Sequence, residues 1–149
     1  MFFLGRGIKA GYKLDPQIFK ALNSLNEKFV VKIQILGSGP ALAFYREGEK
    51  IVVLHSKKAK AVKADLDIVF KNLASAKNVL FGKVSIAMAF AMHYFLVYGE
   101  IYVAMDIVRV LERVENYLFP KFITKKLFPV TIKKQVSSFR YYLKVLFGV

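Results

Sequence analysis

The residues able to do chemistry are few, and their spacing argues against chemistry. The chain holds two histidines and no cysteine or tryptophan. A metal site needs three or four clustered ligands; His55 and His93 stand apart, each at the end of an extended segment. Without thiols there is no disulfide, thiolate metal site or cysteine nucleophile. Asp65 and Asp67 are two apart, so an extended chain points both to one face, where paired carboxylates could do acid–base work. Lys57, Lys58, Lys60 and Lys63 lie just upstream, and the pair reads instead as a solvated, salt-bridged face. Ser85 lacks the glycines of a nucleophile elbow. Gly5-Arg6-Gly7-Ile8-Lys9-Ala10-Gly11 imitates a dinucleotide loop, but its third glycine comes one place late and it has no room for a preceding strand. Gly37-Ser38-Gly39 follows a strand, yet Pro40 and the strand after it make this a turn. The expectation is a protein that is not an enzyme, with no catalytic residue, metal or cofactor.

What remains is apolar surface and positive charge. Of 149 residues, 56% are hydrophobic, and 24 Lys and Arg face 10 Asp and Glu, a formal charge of +14. High charge without low hydrophobicity excludes a disordered chain, and the length suits one domain with an appendage. The surplus charge asks for an anionic partner, nucleic acid or an acidic membrane surface; a chain both apolar and basic leans toward lipid. The uncharged stretch Val84 to Gly99 is shorter than the roughly 20 residues that cross a bilayer. MFFLG is too short for a signal-peptide core, and the terminal VLFGV is no retention signal. An unprocessed cytoplasmic protein is expected.

The elements follow from periodicity. Asp15 can cap a helix that opens on Pro16 and lines one face with Ile18, Phe19, Leu22 and Leu25. From Lys28 the period changes to two, with Phe29, Val31, Ile33 and Ile35 on one side. Strands over Ala41 to Glu47 and Lys50 to His55 flank Gly48 as a hairpin. A lysine-rich loop leads to a strand over Asp65 to Phe70, then to a helix over 72–81 that Gly82 stops. Ser85 to Met92 suits a helix, and His93 to Tyr98 a strand ended by Gly99. Glu100 to Tyr117 is a helix with a polar stripe of Asp106, Arg109, Arg113 and Asn116. Its apolar arc is too wide for a sheet on one side to cover, so a second element or an apolar ligand must press on it.

Residues 118–149 differ in kind, with seven basic residues, no acidic ones, and breaks at Pro120 and Pro129. Ile132, Val136, Phe139, Leu143 and Leu146 recur at helical spacing, with Lys133, Lys134, Arg140 and Lys144 around them. This pattern predicts a basic amphipathic helix.

The middle of the chain resembles the sterol carrier protein-2-like lipid-binding domains. Ala64-Asp65-Leu66-Asp67-Ile68 resembles that family's Ala-Asp strand after a hairpin, and Gly82-Lys83 the Gly-Lys that closes the next helix. Ala89-Phe90 falls where the family has a small residue and Phe before its last strand. Gly99 with Ala104-Met105 resembles its Gly-x-x-x-x-Ala-Met. The resemblance covers about residues 15 to 117 and departs from the family at His93, where a glycine is usual. It implies an α/β (α+β) fold: about five mostly antiparallel strands, with helices on one face enclosing an apolar tunnel for a fatty acid, acyl-CoA or sterol-like lipid.

The domains expected are 1–117, lipid-binding, and 118–149, a basic helical extension. The expected lipid-binding residues are Phe81, Ile86, Phe90, Phe95, Val97, Ala104, Met105, Val108 and Leu111; Met88 and Met92 would wall the same tunnel. Lys133, Lys134, Arg140 and Lys144 would meet an anionic membrane. The greasy outer face of Tyr94, Leu96 and Tyr98 needs a cover: the C-terminal helix, a second subunit of a homodimer, or the membrane. The leading expectation is a lipid-binding or carrier protein. An accessory module that binds another protein is the alternative, and nucleic-acid binding ranks below both.

Overall fold

The computed structural model describes residues 1–120, 123, 125 and 134–147. Five strands form one open sheet in the order β3-β2-β1-β4-β5. They are β1 (Val31–Ile35), β2 (Ala41–Glu47), β3 (Lys50–His55), β4 (Leu66–Phe70) and β5 (Phe95–Tyr98). β1 and β4 pair in parallel, and the other three pairings are antiparallel. The alternation read from the sequence sets the two faces. On one face Leu42, Ile33, Ile68 and Val97 stand abreast in register, and beside them Ile35, Phe70 and Phe95 form a second row.

That apolar face is covered by α1 (Phe2–Leu14), α2 (Pro16–Asn23), α4 (Leu73–Leu80), α5 (Ile86–Ala91) and α6 (Ile101–Leu118), whose buried side chains join the sheet in one core. The opposite face is covered near β2 by α3 (Ser56–Ala61), through Ala59 against Ala41 and Ala43. A last helix, α7 (Ser138–Phe147), packs on α1 and α6 rather than on the sheet.

Asp15 caps α2 as expected: Oδ1 accepts from the backbone N–H of Gln17 at 2.8 Å and of Ile18 at 3.2 Å. Asp67 answers to Lys32, 3.7 Å away, and Gln34, 2.7 Å away, rather than to the lysines upstream of it. His93 has φ +53°, a left-handed conformation natural to glycine, so the turn that the resemblance assigns to glycine is kept without one.

Three segments differ from the sequence reading. Residues 2–14 form a helix despite their glycines, because α1 is pressed against its neighbours. A Cβ on Gly7 would come within 2.7 Å of Val114 Cγ1, and one on Gly5 within 2.8 Å of Val53 Cγ1. Tertiary packing here overrides a weak propensity. The lysine-rich loop contains α3, whose one buried residue, Ala59, leaves no apolar period to see. Finally, α7 buries Tyr141 and Val145, while Phe139, Leu143 and Leu146 are exposed. The helix is amphipathic, and these residues of the stripe, read either as a membrane face or as a cover for Tyr94, Leu96 and Tyr98, are turned outward. Ile132 and Lys133 of that segment lie outside the described residues. The long uncharged stretch divides into α5 and β5, and among the described residues no helix is long and apolar enough to cross a membrane.

Candidate functional site

The two ends of the chain and its middle close around a cavity of about 450 Å³, within the roughly 300–1,000 Å³ of typical ligand sites. Its floor is the apolar sheet face, Ile33, Ile68, Phe70 and Phe95. Val79, Leu80 and Phe81 come from the end of α4, Ile86 from α5, and Leu111, Glu115 and Leu118 from α6, with Phe119 after them. Met1, Phe3 and Leu4 from the N-terminus and Tyr142, Val145 and Leu146 from α7 complete the wall.

The chain ends are held there by polar contacts. Tyr141 donates its hydroxyl to Gly7 O, Tyr142 donates to Leu118 O, and Arg6 reaches Leu146 O at 3.0 Å. Tyr141 stacks on Tyr117 with ring centroids 4.3 Å apart. Around this joint lies a closed network. Oδ2 of the fully buried Asp15 side chain accepts from Arg113 Nη2 and from the Tyr117 hydroxyl, each at 2.9 Å. Burial alone would raise the Asp15 carboxyl; Arg113, Tyr117 and the two backbone N–H groups together hold it below its usual value. The same Tyr117 oxygen accepts from Gln135 N–H at 2.9 Å, and Lys134 Nζ stands 5.7 Å above the ring.

The cavity's own acid is different. Glu115 is only 4% exposed, lines the cavity, and leaves Oε2 buried without a partner. Burial first, and Glu112 second, push its carboxyl well above the usual range, against the pull of Ile86 N–H. Glu112 is itself raised by burial, opposed by Ala87 N–H and Arg109.

Of the residues expected to bind lipid, Phe81, Ile86, Phe95 and Leu111 line this cavity. Ala104 is buried in the core away from the cavity lining, and Val97 and Val108 pack at the core's edge. Phe90 is exposed at its margin but touches Phe95, with centroids 5.8 Å apart; Met105 faces outward, as do Met88 and Met92. Of the residues expected at a membrane, Arg140 is exposed and Lys144 half-buried. Lys134 is engaged with Ser138 Oγ at 2.8 Å and with Tyr117, and Lys133 lies outside the described residues. The sequence reading missed both chain ends and Glu115. Glu115 had a signal: at 100° per residue it stands about 180° around α6 from Asp106, opposite the polar stripe and among leucines.

No family model matches the chain, and no curated protein matches its sequence. Solved structures do match its shape. A crystal structure of sterol carrier protein 2 superposes with a TM-score of 0.53 at 13% identity, covering 74% of this chain and 93% of that one. Sterol carrier protein 2 from Yarrowia lipolytica, in its apo form, gives 0.51 at 15% identity, covering 74% and 86%. A UbiJ-SCP2 ubiquinone synthesis protein gives 0.50 at 16%, covering 74% and 95%. The chain has the sterol carrier protein-2 fold. The five-stranded sheet with its helical cover is thus shared, at identities that carry the fold and no more. The motifs around Ala64, Gly82, Ala89 and Gly99 sit in that fold where the resemblance set them: before β4, after α4, within α5 and after β5.

Proposed function

We propose that the protein binds an apolar lipid non-catalytically, as a carrier or holder, in the cavity between the sheet, α4–α7 and the N-terminal helix. The observation that carries this reading is an apolar cavity of ligand size built on the sterol-carrier fold. Closely packed cores leave few voids larger than a water molecule, so a space of this size lined by Leu, Ile, Val and Phe is a site for a hydrocarbon. Four residues that the sequence singled out meet there, which supports the same reading. The test is native mass spectrometry of protein purified from cells, followed by organic extraction. A co-purified lipid, lost in a cavity-filling Leu111→Trp variant that keeps its circular dichroism, is the expected result. Protein that is empty as isolated and fails to take up a fluorescent long-chain lipid would overturn the reading. Leu118→Trp, at the cavity's other end, serves if Leu111→Trp does not fold.

We further propose that α7 rests on an anionic membrane. Its outer residues Phe139, Leu143 and Phe147 are exposed, with Arg140 and Lys144 alongside, and Tyr142, Val145 and Leu146 wall the cavity. Each cation near an anionic surface contributes on the order of 1 kcal/mol, and the chain's +14 has the sign to match. Sedimentation with phosphatidylserine vesicles should fall in high salt and in an Arg140→Glu/Lys144→Glu variant; binding indifferent to both would remove this role. A protein-binding or homodimeric module is a second reading, favoured by exposed Tyr98, Ile101, Tyr102 and Met105 around the start of α6. Analytical ultracentrifugation distinguishes it, since a dimer should dissociate in a Tyr102→Glu variant.

A further inference from the structure

A cavity for pure hydrocarbon has no use for an acid, yet Glu115 is placed in this one. Leucine or isoleucine at this position would complete the lining and avoid burying a polar group. Glu115 lines the cavity, and its Oε2 has no protein partner. Buried polar atoms are nearly always hydrogen-bonded, so a buried, unpartnered oxygen on a residue of the cavity wall marks a side chain that a ligand can draw into a bond. The other hydroxyl on the wall, that of Tyr142, already donates its proton to Leu118 O.

We infer that Glu115 reads the polar end of the bound lipid, and that this end is an uncharged oxygen, a hydroxyl or a carbonyl, rather than a carboxylate. The inference rests on the lipid reading above and adds the head-group chemistry. Its electrostatic basis is local. Glu112 lies one turn away on α6, and among the described residues no Lys or Arg forms an ion pair with Glu115. An anionic head would therefore be a further acid in apolar surroundings beside Glu112 and Glu115, where like charges strongly oppose ionisation. Burial holds Glu115 toward its neutral form. When protonated, the carboxyl presents an O–H that donates to a hydroxyl or carbonyl oxygen, while its lone pairs accept from a hydroxyl.

The test uses the full chain and two ligands of equal length, a long-chain alcohol and the matching fatty acid. Each competes at neutral pH with a fluorescent lipid probe. The wild type should hold the alcohol on the order of tenfold more tightly than the acid, the scale of one buried hydrogen bond. Glu115→Gln, which still donates, should keep that preference; Glu115→Leu should lose it by weakening the alcohol while still binding the probe. Equal or tighter binding of the acid by the wild type, or a preference unchanged in Glu115→Leu, would overturn the inference and leave the lipid reading standing. Failure of the probe and both ligands to bind the wild type overturns the lipid reading, and this inference with it. Circular dichroism of each variant separates a lost ligand from a lost fold.

Discussion

Helix α6 carries two buried carboxyl environments within one turn, and they are finished to different degrees. Toward α1, α2 and α7, Asp15 meets Arg113 and Tyr117 of α6, and four donors saturate its two oxygens. Toward the sheet and α5, Glu115 of the same turn leaves Oε2 buried and bare. The first arrangement belongs to the fold. A buried charge is tolerated when it is paired and hydrogen-bonded, and Asp15 thereby ties the α1–α2 junction to α6 and, through Tyr117, to the residues before α7. The second arrangement stabilises nothing that the structure contains. An acid left half-satisfied is a cost to the folded state, and such costs persist where a site needs them.

The largest effect should come from the finished side. Asp15→Ala removes the α2 cap and leaves Arg113 without its partner, and breaking a buried pair from one side costs about 3–5 kcal/mol. Urea unfolding measures it; a loss under 1 kcal/mol would show the network to be ornamental. Gly7→Ala comes next. Gly7 lies where α1 crosses α6 between the two environments, and the added Cβ would meet Val114 Cγ1 at 2.7 Å and Leu118 Cδ1 at 3.0 Å. Val114 is stiff at χ1, so overpacking of about 1–3 kcal/mol should exceed the gain of roughly 1 kcal/mol in helix propensity. A more stable Gly7→Ala would mean that α1 can back away from α6.

These contrasts also explain what the sequence could disclose. β2 and β3 were read to their end residues, because their apolar alternation and the Gly48 turn are local signals. Phe81, Ile86, Phe95 and Leu111 could be placed at the site because α4, α5, β5 and α6 follow one another in the chain. Met1, Phe3, Tyr142 and Val145 reach the cavity only when the two ends of the chain meet, and no periodicity encodes that meeting. Residues 2–14 were assigned no element, since the close approach of Gly7 to Val114 is visible only once both helices exist. Asp15 was legible as a cap but not as an ion-pair partner: its position before Pro16 is local, and Arg113 is distant in sequence.

Glu115→Leu should move stability the other way. It removes an unpartnered buried oxygen, and the cost of such a group is about 1–3 kcal/mol, so a net gain of about 1 kcal/mol is expected in the ligand-free protein. Together with Asp15→Ala it gives opposite signs for two buried acids packed against one turn of α6. A loss of stability in Glu115→Leu as large as that of Asp15→Ala would make Glu115 a second structural anchor and end the contrast.

The measurement that separates the two acids within a single protein is the dependence of stability on pH. Asp15 is held below its ordinary value in the folded state. Its contribution is therefore complete above the unfolded value near 3.9 and is lost as pH falls through the lower folded value. Glu115 is raised, so its window lies on the other side. From about pH 4.3, the unfolded value, upward to its folded value, the folded chain holds a proton that the unfolded chain has released. Stability must fall with rising pH across that window, by at most about 1.4 kcal/mol per unit for one proton. Glu112 is raised too, so a residual slope of the same sign survives the loss of Glu115. Urea midpoints measured from pH 4.5 upward should decline less steeply in Glu115→Gln than in the wild type, while Asp15→Asn should leave that decline intact and alter only the acid limb. A neutral-range slope unchanged in Glu115→Gln would mean that Glu115 titrates alike in folded and unfolded chains, and its bare oxygen would then be met by water instead of waiting for a ligand.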